Sequence, residues 1–304
     1  MHLRTGRLSR ALLATLAAGA LVAGCGDDEE DGTGEAAKPT AFTVTATAEG
    51  KKKKALEFPA SVKAGLVAMT LTNSDTVPRS AQILRVEGDQ TVDDVLKVVN
   101  AESTKIPDFM QDGGGLPAVK PGASATATQN LAPGRYVIWD DEGGDEEGAP
   151  GNDEFGAKGE FTVTGEASDA ELPEVAATVT ATDEGTDGDD KTYDFEFKGL
   201  KAGTNQVRFE NTGEQLHHAL FFPIAKGKTI KDVEAAFASE EEPQGPPPVD
   251  FENGVGTAVI DGDIAQNIAL ELKAGKYAVV CFLSDRKGGK SHAEEGMLEE
   301  LVVE

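Results

Sequence analysis

The sequence predicts an all-β protein: two tandem β-sandwiches, each carrying one short helix. Three observations predict it. Apolar residues alternate with polar ones at period two over runs such as ATVTATD, TYDFEFKG and NQVRFEN, the pattern of half-buried strands. Gly, Thr, Val, Asp and Glu are plentiful and aromatics make up only 6% of the 304 residues, a balance that suits short strands joined by polar turns. The chain also repeats itself at a nearly constant offset. FTVTATAEG from Phe42 returns as ATVTATDEG from Ala177, Asn73 as Asn211, TVDDV from Thr91 as TIKDV from Thr229, and LAPGRY as LKAGKY ending at Tyr277. Two copies are too few for a solenoid and read as tandem domains.

Residues 1–24 have the build of a secretory signal: Arg4, Arg7 and Arg10 precede the apolar run ALLATLAAGALVA, which is too short to span a bilayer. The run ends LVAGC, with Ala23 and Gly24 before Cys25. This resembles the lipobox of bacterial lipoproteins, and the resemblance implies that Cys25 is lipidated and tethers the chain to a membrane outside the cytoplasm. Residues 25–40 are then an acidic, Gly-rich tether with nothing to bury, expected to be disordered. The first sandwich is expected over 41–165, a polar linker over 166–174 and the second sandwich over 175–304.

In the second unit the expected strands are ATVTATD, TYDFEFKG, NQVRFEN, HHALFFPI, IAQNIALEL, KYAVVCFL and MLEELVVE. DVEAAFASEEE reads as a short helix opening after Thr229, a fitting N-cap. EEPQGPPPVD follows as a stiff, extended loop. In the first unit the lysine run 51–54 reads as a solvated turn. The acidic loop DDEGGDEEGAPGNDE lacks EF-hand spacing and also reads as solvated.

The chemistry concentrates near the end of the chain. Cys281, His292 and Met297 lie there, and one further imidazole lies upstream in QLHHALFF, at His217 or His218. Two imidazoles, a thiolate and a thioether form the donor set of an electron-transfer copper site. Tyr277, Val279 and Cys281 share one side of their strand, which turns the thiol toward the core. Without Cys25, Cys281 has no partner in the chain, so no disulfide framework exists and the thiol is expected buried, metal-bound or paired with another chain.

At these residues the unit resembles the cupredoxins, the Greek-key sandwiches of plastocyanin and azurin. It also resembles the two-domain plastocyanin-like lipoproteins of high-GC Gram-positive bacteria. Gly275, Tyr277 and Cys281 fit the family's G-x-Y-x-x-x-C strand. His292, Gly296 and Met297 fit its H-x-x-x-G-M loop, and His217 follows an Asn-containing turn at the start of a strand. The resemblance implies one type 1 copper in the second unit, with His217, Cys281 and His292 as equatorial ligands and Met297 as the axial one. It departs from the family twice. Ten residues separate Cys281 from His292, a longer loop than usual, which implies a mobile His292 and an exposed metal. His218 stands where the family often has an asparagine that latches the two ligand loops, and it adds a competing imidazole. In the first unit Arg79 takes the place of His217, Asp140 that of Cys281 and Ala157 that of Met297. That unit therefore has a structural or docking role.

A net charge of −26 repels nucleic acid and anionic lipid headgroups and favours cationic partners. No nucleophile–base pair, phosphate loop or zinc helix appears in the sequence. Tandem cupredoxin domains occur in multicopper oxidases and copper nitrite reductases, but those need many more histidines than the three here after residue 25. The expectation is thus no enzyme and no small-molecule substrate. It is a lipid-anchored carrier of single electrons between redox partners that the sequence does not identify. The alternative is a copper-holding or copper-free scaffold acting as an interaction module.

Overall fold

The computed structural model describes residues 38–101, 105–143, 150–185, 191–239 and 245–304. The signal segment, Cys25 and most of the tether lie outside them. Among the described residues no helix is long and apolar enough to cross a membrane.

The first unit holds β1 (Thr40–Ala48), β2 (Lys54–Glu57), β3 (Ser61–Lys63), β4 (Gly65–Asn73), β5 (Arg79–Val86), α1 (Val92–Val99), β6 (Met110–Val119), β7 (Ser124–Leu131), β8 (Gly134–Trp139) and β9 (Lys158–Thr164). The second holds β10 (Ala177–Glu184), β11 (Thr192–Lys198), β12 (Gly203–Asn211), β13 (Leu220–Pro223), α2 (Ile230–Phe237), β14 (Val255–Gly256), β15 (Ala265–Leu272), β16 (Gly275–Val280) and β17 (Leu298–Val303). Each unit packs two sheets face to face. One face follows the same plan in both: β2-β1-β4-β7 and β11-β10-β12-β15, with one parallel pair each, β1 with β4 and β10 with β12. The other faces are β3-β9-β8-β5-β6 and β14-β13-β16-β17.

Period-two burial builds these layers. Along β10 the side chains alternate strictly between buried and half-exposed up to the last residue. Val44, Leu71, Tyr136 and Phe161 fill the first core, and Val179, Phe209, Phe221 and Val279 the second, with Cys281 and Met297 among the latter. The tyrosines shared by the repeat do the same work twice: the Tyr136 hydroxyl donates to the Ala132 carbonyl at 3.1 Å and that of Tyr277 to the Lys273 carbonyl at 3.2 Å. Both helices open on capping boxes, Thr91 with Asp94 and Thr229 with Asp232, which satisfies donors that a helix start leaves unpaired. Each helix covers the outer face of its sheet, α1 over Leu84, Val86 and Val137, and α2 over Val249, Ala278 and Leu298.

The two sandwiches are not beads on a string. β7 pairs antiparallel with β15, Gln129 opposite Gln266, so one eight-stranded sheet runs through both units. The intervening linker is tied down as well: the Ser168 carbonyl accepts from Asn130 at 2.6 Å and the Pro173 carbonyl from Asn267 at 2.7 Å.

Some expectations need correction. The strand expected from HHALFFPI begins only at Leu220, because His217 pairs as an isolated bridge with Ile260 instead of joining the sheet. The lysine run is solvated through Lys53, but Lys54 is buried and its ammonium meets Asp75 at 2.6 Å. The acidic loop is solvated only in part. Residues 144–149 lie outside the described residues, yet Asp140, Glu142, Asn152 and Asp153 are all buried.

Candidate metal centre

Asn211 builds the turn that presents the first histidine. Its amide donates to the Gln215 carbonyl at 2.7 Å and its side-chain oxygen accepts from Gly213 N at 3.0 Å. The chain then places His217 against Ile260, with backbone bonds in both directions. β16 ends at Val280 and delivers Cys281 into the core. The Cys281 N–H donates to the Met297 carbonyl at 3.3 Å, and Met297 N–H to the His292 carbonyl at 2.7 Å. A closed backbone circuit thus joins three of the four residues expected from the sequence.

The side chains of His217, Cys281 and His292 converge. Nδ1 of His292 lies 3.1 Å from Nδ1 of His217 and 3.5 Å from Sγ of Cys281. One donor atom from each of the three falls within 4.8 Å of the others. All three residues, and Met297, are 0% exposed. The other ring nitrogens face carboxylates: His217 Nε2 is 3.1 Å from Asp183 and His292 Nε2 is 3.2 Å from Asp285. Carboxylates behind imidazoles fix ring orientation and leave the inner nitrogen as donor, the usual support of metal-binding histidines. The Tyr193 ring stacks on His292 at 4.4 Å, and its hydroxyl donates to Asp285 at 3.0 Å. Lys191 reaches the same carboxylate at 2.9 Å.

The charges follow from this packing. Burial opposes the Cys281 thiolate, but the imidazoles of His218, His217 and His292 outweigh it and hold the thiol well below its ordinary value. Burial likewise opposes the His217 cation, while Asp183 and Cys281 outweigh it and raise the ring to about 9. Asp183 is held down at about 2 against its own burial, chiefly by His217 and the Gln215 amide.

His218 lies outside the three converging donors. Its Nε2 accepts from the Phe282 N–H at 3.0 Å and so latches the segment of His217 to that of Cys281. Burial pushes its pKa down. The long loop does not leave the donors exposed. Residues 284–291 form a small hairpin closed by a Ser284–Ser291 bridge, and Asp285 on it braces His292.

Asp183, Tyr193, Lys191, Asp285 and Gln215 were not among the expected site residues. One signal was present: the repeat reads FTVTATAEG in the first unit and ATVTATDEG in the second, so Asp183 is the carboxylate that replaces Ala48. The paired strand changes in step, Lys54 opposite Ala48 and Tyr193 opposite Asp183.

The equivalent place in the first unit is filled by charge. The Arg79 guanidinium, 0% exposed, binds Asp140 directly and Asp75 at 3.1 Å. Asp140 also accepts from Ser80 N at 3.0 Å and from Asn152 at 3.2 Å. Asn152 stands in the backbone circuit as His292 does, since Ala157 N–H donates to its carbonyl at 3.0 Å.

Among solved structures, the copper nitrite reductase of Nitrosomonas europaea matches at 16% identity and a TM-score of 0.26, over 88% of this chain and 94% of its own. A multicopper oxidase matches at 14% identity and a TM-score of 0.23, over 88% and 89%. The auracyanin of Roseiflexus castenholzii matches at 20% identity and a TM-score of 0.27, over 42% and 100%. No family model and no curated protein sequence matches the chain. Two of these matches, over most of the chain, are enzymes by name, and the expectation that the protein is no enzyme does not stand. The histidine count behind that expectation bounds only a further centre that one chain builds from its own donors. It says nothing of a centre shared between copies.

The donor set fits copper on its chemistry. A soft thiolate with two imidazoles suits copper, and a thioether is too weak a fourth donor for the closed four-ligand sites that zinc prefers. Among the described residues, no carboxylate joins the three converging donors.

Proposed function

We propose that the protein is a membrane-tethered carrier of single electrons, with one type 1 copper held in its second sandwich by His217, Cys281 and His292 and by Met297 as the weak axial donor. The observation that carries the reading is the meeting of the two Nδ1 atoms and the Cys281 sulfur, at 3.1 and 3.5 Å, in a site closed to water. Copper bound there supplies a one-electron couple. The protein's own contribution is rigidity. Asp183 and Asp285 hold the two rings, the Met297–Cys281 backbone bond holds the thiol, and the His218 latch holds one segment to the other. Donors fixed before loading leave little to rearrange when the charge at the centre changes. A single buried sulfur in strong contact with two imidazoles also favours a copper-thiolate centre over a scaffold that holds copper loosely.

The lipobox-like LVAGC supports anchoring through Cys25, with both sandwiches outside the cytoplasm facing a redox partner whose docking surface complements a strongly acidic one.

The test is optical. The soluble full-length chain lacking the signal segment, given one equivalent of copper(II), is expected to turn intensely coloured through thiolate-to-copper charge transfer, and Cys281→Ser is expected to stay pale. A colourless parent with its thiol intact would sink the carrier reading in favour of the scaffold. In cells, Cys25→Ser is expected to move the protein from the membrane fraction to the soluble one.

A further inference from the structure

The first sandwich holds no ligand, yet it touches both segments that carry the histidines. Residue 285 braces His292, and its neighbour Arg286 also reaches into the first unit. The Arg286 guanidinium donates to the Met110 carbonyl at 2.9 Å and pairs with Asp261, and its own carbonyl accepts from Ile106 N at 2.9 Å. Its N–H donates to the Gln215 side chain at 2.7 Å, two residues before His217. On the other side, the backbone of His217 pairs with Ile260, and Ile260 in turn bridges Gly113 at the start of β6. Asp261 N–H donates to the Asp112 carbonyl at 2.6 Å, and Asp112 N–H donates back to the Asp261 carboxylate at 3.1 Å. Gly113 has φ +73°, and a Cβ there would meet the Val259 carbonyl oxygen at 2.6 Å. Only glycine lets the two backbones come this close.

Resting on the copper reading above, we propose that the first sandwich is a clamp that sets the metal loop of the second, with Arg286 as the positioning residue for His292 and Gly113 as the contact that seats His217. The physical need is plain. Ten residues separate Cys281 from His292, and a loop of that length free at its tip would sample many placements of the ring, each costing entropy when the metal binds. Fastening residue 286 to β6 removes that freedom before any metal arrives. The repeat unit without these donors thus supplies order to the unit that has them.

The test uses the full chain. Arg286→Ala removes the guanidinium, Arg286→Lys keeps its charge without the planar fork, and Gly113→Ala disturbs the contact from the first unit while leaving the sequence of the second unchanged. Amide hydrogen exchange of the metal-free protein reads loop order over 282–292. Copper release to a chelator and the charge-transfer band read the centre. Arg286→Ala is expected to speed exchange across the loop, to speed copper release by about tenfold to a hundredfold and to shift the band, with Arg286→Lys recovering part of each. Gly113→Ala is expected to change release and band in the same direction while raising exchange around His217. Parental exchange in Arg286→Ala would overturn the clamp, and so would faster exchange with parental release and spectrum. A parent chain with no charge-transfer band would instead sink the copper reading, and the exchange measurement alone would then decide the clamp.

Discussion

At the scale of single residues, the centre is a balance of protons as much as of contacts. His217 is raised to about 9 and Cys281 lies well below its ordinary value of 9.0. Both shifts favour a proton on the ring over one on the sulfur in the metal-free protein. Copper must displace that proton, so its affinity is expected to rise about tenfold per pH unit up to about 9 and then to level, which competition titrations at pH 6, 7 and 8 would check. For stability the two shifts oppose each other. A raised histidine contributes stability that is lost between its ordinary 6.5 and about 9, whereas a lowered thiol contributes stability that grows up to 9.0. The proton counts cancel, and the metal-free melting temperature is expected to be level between pH 7 and 9. A fall over that range would mean that the thiol keeps its proton. Met297 acts differently. A weak axial donor tunes the potential more than it holds the metal, so Met297→Leu is expected to move the reduction potential in voltammetry while changing affinity by less than about tenfold, or 1.4 kcal/mol. An unmoved potential would remove Met297 from the ligand set.

At the scale of elements, the two copies of one strand plan solve the same end differently. Asn73 and Asn211 staple the same turn, and Tyr136 and Tyr277 the same corner. Beyond them, the second unit brings nitrogen and sulfur together, and the first brings Arg79, Asp140, Asp75 and Lys54. A buried ion pair is costly to make and costlier to halve. Asp140→Asn is therefore expected to destabilise the protein by about 3–5 kcal/mol in denaturant titrations. Arg79→Met combined with Asp140→Leu, which removes both charges together, is expected to recover most of that loss. A mild single variant would mean that the pair is hydrated and carries little.

At the scale of the whole molecule, the pairing of β7 with β15 turns two sandwiches into one body. Gln266 lies buried at the join, donating to the Gly115 carbonyl at 2.9 Å and to Gln129 at 3.2 Å. Sheet continuity, the tied linker and the Arg286 contacts couple the units. Calorimetry of the metal-free chain is expected to give one cooperative transition, and two well-separated transitions would refute the coupling. The charge of −26 acts at this scale as well, on partners and not on the fold.

The sequence by itself determined most of the strands, the capped helices, the repeat and the three residues that converge, His217, Cys281 and His292, because each is written in local terms. Period-two alternation marks a strand without reference to its partner, a Thr followed three residues later by Asp marks a helix start, and scarce histidines and a single cysteine after Cys25 can only be counted one way. Asp183 was half legible, as the one charged change within an otherwise repeated strand. Lys54 and Asp140 were misread as solvated because a charge run looks the same whether or not a countercharge from a distant strand meets it. The tertiary structure alone decided the rest: that β7 and β15 share a sheet, that His218 turns to the Phe282 amide, and that Arg286 reaches the other sandwich. Each of these joins residues far apart in the chain by a hydrogen bond whose partner is a backbone group, and a backbone group has no letter in the sequence.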